Sequence, residues 1–297
     1  MQRVQVVFWL ATVVGIPALL VAAPGDFSGA SALNFTKKVV EFGPRPPDSD
    51  AIHNLQNYLR AEVKSLGWAI SEDVFQANTP AGPKQMRNIT ARLPGTSGKI
   101  VVISGHYDTK ATPDLVFVGA NDGGSSTGLL LELARVLPKR SHRDEILLVW
   151  LDGEEAFAQW SDTDSVYGSK HLAAKWAADG TAPRIKALIN VDMIGDQDLQ
   201  IVEETASTVW LRELVWDAAR ELGFAKHFGA SQGAIGDDHV PFLDKGIPAL
   251  DLIDFDYGPA NSYWHTPQDT MDKLGANSFE VVGKVILAAI QKLEDRK

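Results

Sequence analysis

The sequence predicts one α/β domain, a single mostly parallel central mixed sheet with helices on both faces, and three observations predict it. Short apolar runs alternate with helical patterns, Gly or Pro closes each run, and no linker-like stretch interrupts the 297 residues. Reading from the amino end, "SDAIHNLQNYLRAEVKSLG" (49–67) sets Ile52, Leu55, Leu59 and Val63 at helical spacing. Ser49 or Asp50 can cap its start and Gly67 can end it. "WAISEDVFQA" (68–77) and "NITARLPG" (88–95) alternate only in part and read as short strands. "KIVVISG", "EILLVWLDG", "KALINVDMIG" and "IPALDLID" are apolar enough to be strands buried on both faces. Between them, "SSTGLLLELARVL", "YGSKHLAAKWAADG" and "STVWLRELVWDAARELG" read as helices, and "NSFEVVGKVILAAIQKLEDRK" closes the chain as another.

Composition narrows the function. With 45% hydrophobic and 22% charged residues the chain is an ordinary globular one, without repeats or low-complexity tracts. A net charge of −10 and the lack of any Lys/Arg block argue against nucleic acid as a partner. The amino terminus differs from the rest: Arg3 precedes 20 uncharged residues, Val4 to Ala23, and "PGDFSGAS" opens the polar chain. Residues 1–24 therefore read as a signal peptide or an N-terminal membrane anchor, and 25–297 as a catalytic domain that is secreted or periplasmic. Only such an anchor would bring the chain to a membrane, and no sequence signal sets its oligomeric state. There is no cysteine, which excludes disulfides, thiolate zinc sites and cysteine nucleophiles, so a metal must use His, Asp or Glu.

In a parallel sheet, ligands bind beyond the carboxyl ends of the strands. The residues at those ends are His106 and Asp108 of "SGHYD", Glu154 and Glu155 of "DGEEAF", and Asp192 of "NVDMIG"; Asp122 and His265 sit in loops. Burying several carboxylates at one sheet edge costs several kcal/mol per ion unless cations compensate, which points to a divalent metal. Oxygen and imidazole donors without thiolate suit a catalytic Zn²⁺ held by three protein ligands. Neighbouring residues in extended chain point different ways, so one of Glu154 and Glu155 can bind metal while the other serves as acid or base. Spacing does not say which.

"GHYD", Asp122 before a helix, "DGEE", "NVDMIG" and "HTPQDT" resemble the zinc aminopeptidase superfamily, typified by bacterial leucyl aminopeptidases and aminopeptidase Y, over about residues 34–295. Within it, "DGEEAFAQWSDTDSVYGSKHLA", "DDHVPFLDKGIP" and "YWHT" are similar to the glutaminyl-peptide cyclotransferase (glutaminyl cyclase) family. The resemblance implies a phosphorylase/hydrolase-like fold and a zinc-dependent acyltransferase that converts the N-terminal glutamine of peptides or proteins to pyroglutamate and ammonia. It implies Asp122, Glu155 and His265 as zinc ligands, Glu154 as proton shuttle, a hydrogen-bonding role for Asp237, and Trp160 and Trp264 in the substrate pocket. Asp192 would hydrogen-bond near the catalytic glutamate. The chain departs from the animal cyclases at Asp251, where they carry a histidine in the strand after "GIP", a position expected to contribute to the pocket. His106, Asp122, Glu155, Asp192 and His265 also complete a two-zinc set, with His106 and Asp192 serving the second ion. A one-zinc cyclase and a two-zinc aminopeptidase therefore both remain open. A third reading takes "GSSTG" (124–128) as a G-x-S-x-G nucleophile elbow, although no strand runs directly into it.

Overall fold

In the computed structural model, which describes residues 26–296, the apolar runs become strands in the order expected. They are β1 (Ala69–Thr79), β2 (Gly82–Leu93), β3 (Ile100–His106), β4 (Glu145–Leu151), β5 (Ile185–Asp192), β6 (Ile201–Glu204), β7 (Phe228–Gly233) and β8 (Ala249–Ile253). Six of them form the central sheet in the order β1-β2-β4-β3-β5-β8. β4, β3, β5 and β8 run parallel, while β1 and β2 form an antiparallel hairpin that extends one side. The sheet is thus mixed and mostly parallel. The segment 1–24, read as an export signal or anchor, lies outside the described residues. No helix among the described residues is long and apolar enough to cross a membrane.

Every position of β3 and β4 is buried, which is why these runs do not alternate in sequence. Their side chains nevertheless divide between two faces. Val101, Ile103, Ile146 and Leu148 belong to the core under α1 (Gly29–Val40), α2 (Asp50–Ser65), α3 (Gly124–Val136), α5 (Val209–Glu221) and α7 (Ala276–Asp295). Val102, Leu147 and Val149 face the other way, onto Leu172 and Trp176 of α4 (Tyr167–Asp179) and Phe242 of the single-turn α6 (Val240–Leu243). In α2 the four apolar residues picked out by spacing are all fully buried, and Ser49, rather than Asp50, is the cap: its Oγ accepts from Ile52 N at 3.2 Å.

Three elements had no sequence signal. Helix α1 buries small or polar residues, Ala32 and Thr36, beside Val39, so no apolar stripe marks it. It packs on α3 at Gly128, where a Cβ would meet Thr36 Oγ1 at 2.1 Å. β6 and β7 form a separate two-stranded parallel sheet, too short to show a period. β2 begins at Gly82, six residues before the segment read as its start, because its first half pairs with β1 in a solvated hairpin and carries polar residues.

Candidate metal centre

The carboxyl ends of β3, β4 and β5 bring His106, the Glu154–Glu155 pair and Asp192 to one edge of the sheet, as parallel topology requires. Gly153 turns the chain out of β4 with φ of 72°, a left-handed conformation that glycine adopts without strain. Asp108 then holds the turn: its Oδ1 accepts from Glu154 N at 3.2 Å and its Oδ2 from Glu155 N at 3.4 Å. A second aspartate does the same for Asp122. Asp269, from "HTPQDT", accepts from Asn121 N at 2.8 Å and from Asp122 N at 3.1 Å, and Tyr257 Oη donates to it at 2.8 Å. Each loop that carries candidate donors is therefore gripped by a buried carboxylate across two consecutive amides. Sequence reading placed Asp108 among candidate ligands and gave Asp269 no role; the structure makes both into clamps.

Two groups of donor atoms result, each drawn together within 4.8 Å: Asp122, Glu155 and His265, and His106, Asp122 and Asp192. His265 Nε2 is 3.1 Å from Glu155 Oε1 and 3.3 Å from Asp122 Oδ2. Two ligands of a tetrahedral zinc ion, each about 2.0–2.2 Å from it, lie about 3.3–3.6 Å apart, so His265 is close to ligand spacing from both carboxylates. Asp122 Oδ2 is buried and has no hydrogen-bond partner among the described residues, since the imidazole near it is misaligned for one. An uncapped buried carboxylate oxygen facing an imidazole and a second carboxylate fits a divalent cation and suits little else. In the second group His106 Nε2 lies 3.1 Å from Asp192 Oδ1 and 3.2 Å from Asp122 Oδ1, making Asp122 common to both.

The electrostatics describe the same cage. Burial, reinforced by Asp122, raises the pKa of Glu155, and burial with neighbouring carboxylates raises Asp192 to about 7 against the pull of His106. Asp122 moves the other way despite burial, because the imidazoles of His106 and His265 lie 3.2 and 3.3 Å from its oxygens. His265 is pushed up to about 9 by Asp122 and Glu155, which outweigh its own burial. Glu154 is held well above the usual carboxylate range by burial, and by Glu155, Asp237 and Asp238, with His106 opposing.

A cavity of about 450 Å³ opens over these groups. Glu154, Asp237, Trp160 and Trp264 all line it, so the residues expected at the reaction site converge. Trp264 stacks on His265 with ring centroids 4.0 Å apart and meets Phe255 edge-on at 5.0 Å. His265 has a φ of 55°, a left-handed backbone that aims its ring from the loop toward Glu155. Lys110 was missed in sequence: its Nζ donates to Ala156 O at 3.1 Å and lies 3.5 Å from Glu155 Oε2. Its place two residues after Asp108 was the available signal.

Two expectations need correcting. Asp251 does not line the cavity; it is fully buried behind it, where Asn190 Nδ2 donates to its Oδ1 at 3.1 Å. As an inward-pointing residue of β8 it faces the interior, 3.8 Å from His239 Nδ1. The serine of "GSSTG" that would be a nucleophile, Ser126, is buried in the first turn of α3 and donates to His106 O at 2.7 Å, so there is no elbow.

The model of peptidase family M28 matches residues 88–290. The chain belongs to peptidase family M28. As a member of that family it is 32% identical to the glutaminyl-peptide cyclotransferase of Bos taurus over 284 residues, 84% of this chain and 77% of the relative. The solved glutaminyl cyclase of an Acidobacteriales bacterium covers 96% of this M28 chain and 100% of its own length, with a TM-score of 0.89 and 39% identity. A leucine aminopeptidase precursor from Bacteroides thetaiotaomicron shares the fold with a TM-score of 0.80 and 26% identity, over 91% and 99% of the two chains. The single α/β domain with its mixed sheet is thus the fold of M28 enzymes.

Proposed function

We propose that the chain is a zinc-dependent glutaminyl-peptide cyclotransferase that converts the N-terminal glutamine of peptides and proteins to pyroglutamate with release of ammonia. The observation that carries this reading is the cavity itself: tryptophan walls, Trp160 and Trp264, enclose a slot whose floor holds the acid and imidazole cage with Glu154 beside it. Similarity to glutaminyl cyclases along nearly the whole chain supports it. Asp122, Glu155 and His265 would hold the ion. Bound there, zinc supplies Lewis acidity to the γ-carbonyl oxygen of the substrate.

The chain's own residues supply the rest. The slot holds the glutamine side chain folded back so that its α-amine meets its γ-carbonyl carbon, an intramolecular attack favoured by proximity. Glu154 takes a proton from the attacking amine and returns it to the amide nitrogen, which leaves as ammonia as the ring C–N bond forms. Asp237, buried and lining the slot, accepts a hydrogen bond from the departing NH₂. Trp160, Trp264 and Phe255 keep water from competing. Asp192, hydrogen-bonded to His106, steadies the His106 side of the cage.

The direct experiment offers the purified protein Gln-peptides and Leu-p-nitroanilide side by side. Ammonia without new peptide termini is the cyclase result. The shared Asp122 favours one alternative, an aminopeptidase with a second zinc on His106 and Asp192, which would release p-nitroaniline instead. We further propose that residues 1–24 export the chain to the periplasm or beyond, cleaved or kept as an anchor; N-terminal sequencing of fractionated protein tests this.

A further inference from the structure

A second hollow, about 330 Å³, adjoins the catalytic cavity, and Trp160, Gly236 and Asp237 are walls of both. Trp160 is the partition. It stands 44% exposed, the only tryptophan among the exposed large hydrophobic residues described, with its indole against Gly236, where a Cβ would come within 3.4 Å of Nε1. The loop that carries it is built, not slack: Asp164 accepts from Phe157 N, Ala158 N and Gln159 N at 2.8–3.0 Å, and Tyr167 Oη donates to it at 2.9 Å. On the far side of the partition the floor is apolar, with Val166 and Pro241 buried, and the rim carries the exposed carboxylates Asp162 and Asp244. Among the described lining residues Lys170 is the one cation, held at the wall by donation of its Nζ to Asp162 O at 2.7 Å and Ser165 O at 3.0 Å, and the carboxylates of Asp162, Asp237 and Asp244 outnumber it.

We propose that this groove receives the residue that follows the N-terminal glutamine and favours arginine or lysine there. The proposal rests on the cyclase reading, because it is the glutamine side chain that fills the first cavity. With that side chain at the acid cage and the α-amine beside Glu154, the substrate's own carbonyl and the chain beyond it must leave through the mouth. Crossing Trp160 leads directly into the second hollow. A long basic side chain matches what is found there: its methylene stem covers Val166 and Pro241 while its charged end reaches the two rim carboxylates. A glutamate in the same place meets like charge.

Exposed charge pairs of this kind are each worth up to about fivefold. The test measures kcat/KM for Gln-Arg-Ala, Gln-Ala-Ala and Gln-Glu-Ala at low ionic strength. The order Arg, Ala, Glu is expected, with about tenfold between the extremes. In the double variant Asp162→Asn/Asp244→Asn the Arg-to-Glu ratio falls toward one, and Asp244→Lys inverts the preference. Because the chain is strongly acidic, a distant double neutralisation, Glu62→Gln/Asp217→Asn, serves as the control and leaves the ratio in place. Equal rates on the three peptides in the parent enzyme, or a ratio that survives the rim variant, or one that falls as far in the control, would overturn the assignment while leaving cyclisation intact. Failure on all three peptides, Gln-Ala-Ala included, removes the cyclase reading and the groove with it.

Discussion

Glu154 and Glu155 are neighbours whose surroundings assign them different work. Glu155 faces His265 at 3.1 Å and Lys110 at 3.5 Å, whereas Glu154 shares the cavity lining with Asp237 and feels the buried Asp238 behind it. Burial first, and carboxylate neighbours after it, give Glu154 a high proton affinity, so that it can take and return a proton; a glutamate set at ligand distance from an imidazole is placed to bind metal. Glu154→Gln is therefore expected to lower kcat at least about a hundredfold with zinc content unchanged, as for loss of a general base. Glu155→Ala is expected to release the zinc. Activity assays beside metal analysis of both variants check this, and loss of zinc from Glu154→Gln would exchange the two roles. Asp269 is reached by the same reasoning one bond further out. Asp269→Asn turns one carboxylate oxygen into a donor facing backbone N–H, frees the Asp122 loop, and is expected to weaken zinc affinity about ten- to a hundredfold in a competition titration, in line with other residues that orient metal ligands. This level was the most legible in sequence, because metal donors are few in kind and strand ends are where they belong. What the sequence did not carry was orientation: Asp251 sits on an apolar run like its neighbours, and only the pleat decides that it points inward.

At the scale of elements, the buried contact of Glu204 with His239 ties together pieces that sequence could not connect. Glu204 ends β6, and its carboxylate accepts from Ala206 N, Ser207 N and Ser207 Oγ at 2.6–2.7 Å and from Ile235 N at 3.2 Å. His239, fully buried at the start of α6, places Nε2 3.2 Å from it. Ile235 lines the catalytic cavity, so this one carboxylate anchors the pocket wall to the small sheet. Although burial opposes it, the adjoining His239 imidazole and the donors of Ser207 lower the pKa of Glu204 from 4.5 to about 2. A depressed folded-state pKa means that the unfolded chain binds more protons between these values, so the contribution is complete above about pH 5 and disappears as pH falls toward 2. Glu204→Gln is expected to cost roughly 2–3 kcal/mol at pH 7, with the gap to the parent closing toward pH 3 in denaturant titrations. A gap that stays constant with pH would show that the charge is not what stabilises. Close packing at Gly128 gives a second prediction for elements: Gly128→Ala drives a methyl into Thr36 and the α1 backbone and is expected to cost about 1–3 kcal/mol in the same measurement. Helix α1 escaped sequence reading for that reason, since contact through a glycine and a threonine leaves no apolar stripe to find.

For the whole molecule, alternation of strand and helix specified a mostly parallel sheet, yet the order β1-β2-β4-β3-β5-β8 was not readable. β3, β4, β5 and β8 are equally apolar, and which of them lie side by side is decided by crossovers packing on both faces, not by anything local to a strand. The metal centre depends on that order. Its donors come from the loop before α3, the turn after β4 and the loop around His265, so an ion there joins parts of the chain more than 100 residues apart, as the Glu155–His265 contact already does across 110 residues. Such an ion stabilises the folded state by mass action, and free zinc a thousandfold above its dissociation constant adds about 4 kcal/mol. For a domain of this size that is a shift in Tm of about ten degrees. Chelation is therefore expected to lower Tm by that order and abolish turnover, and back-titration to one zinc per chain to restore both. Restoration that needs a second equivalent, together with release of p-nitroaniline from Leu-p-nitroanilide, would give the second ligand group its own ion and make the enzyme an aminopeptidase. A Tm and a turnover indifferent to chelation would remove the metal centre altogether, since Asp122, Glu155 and His265 would then hold one another without the charge that their crowding requires.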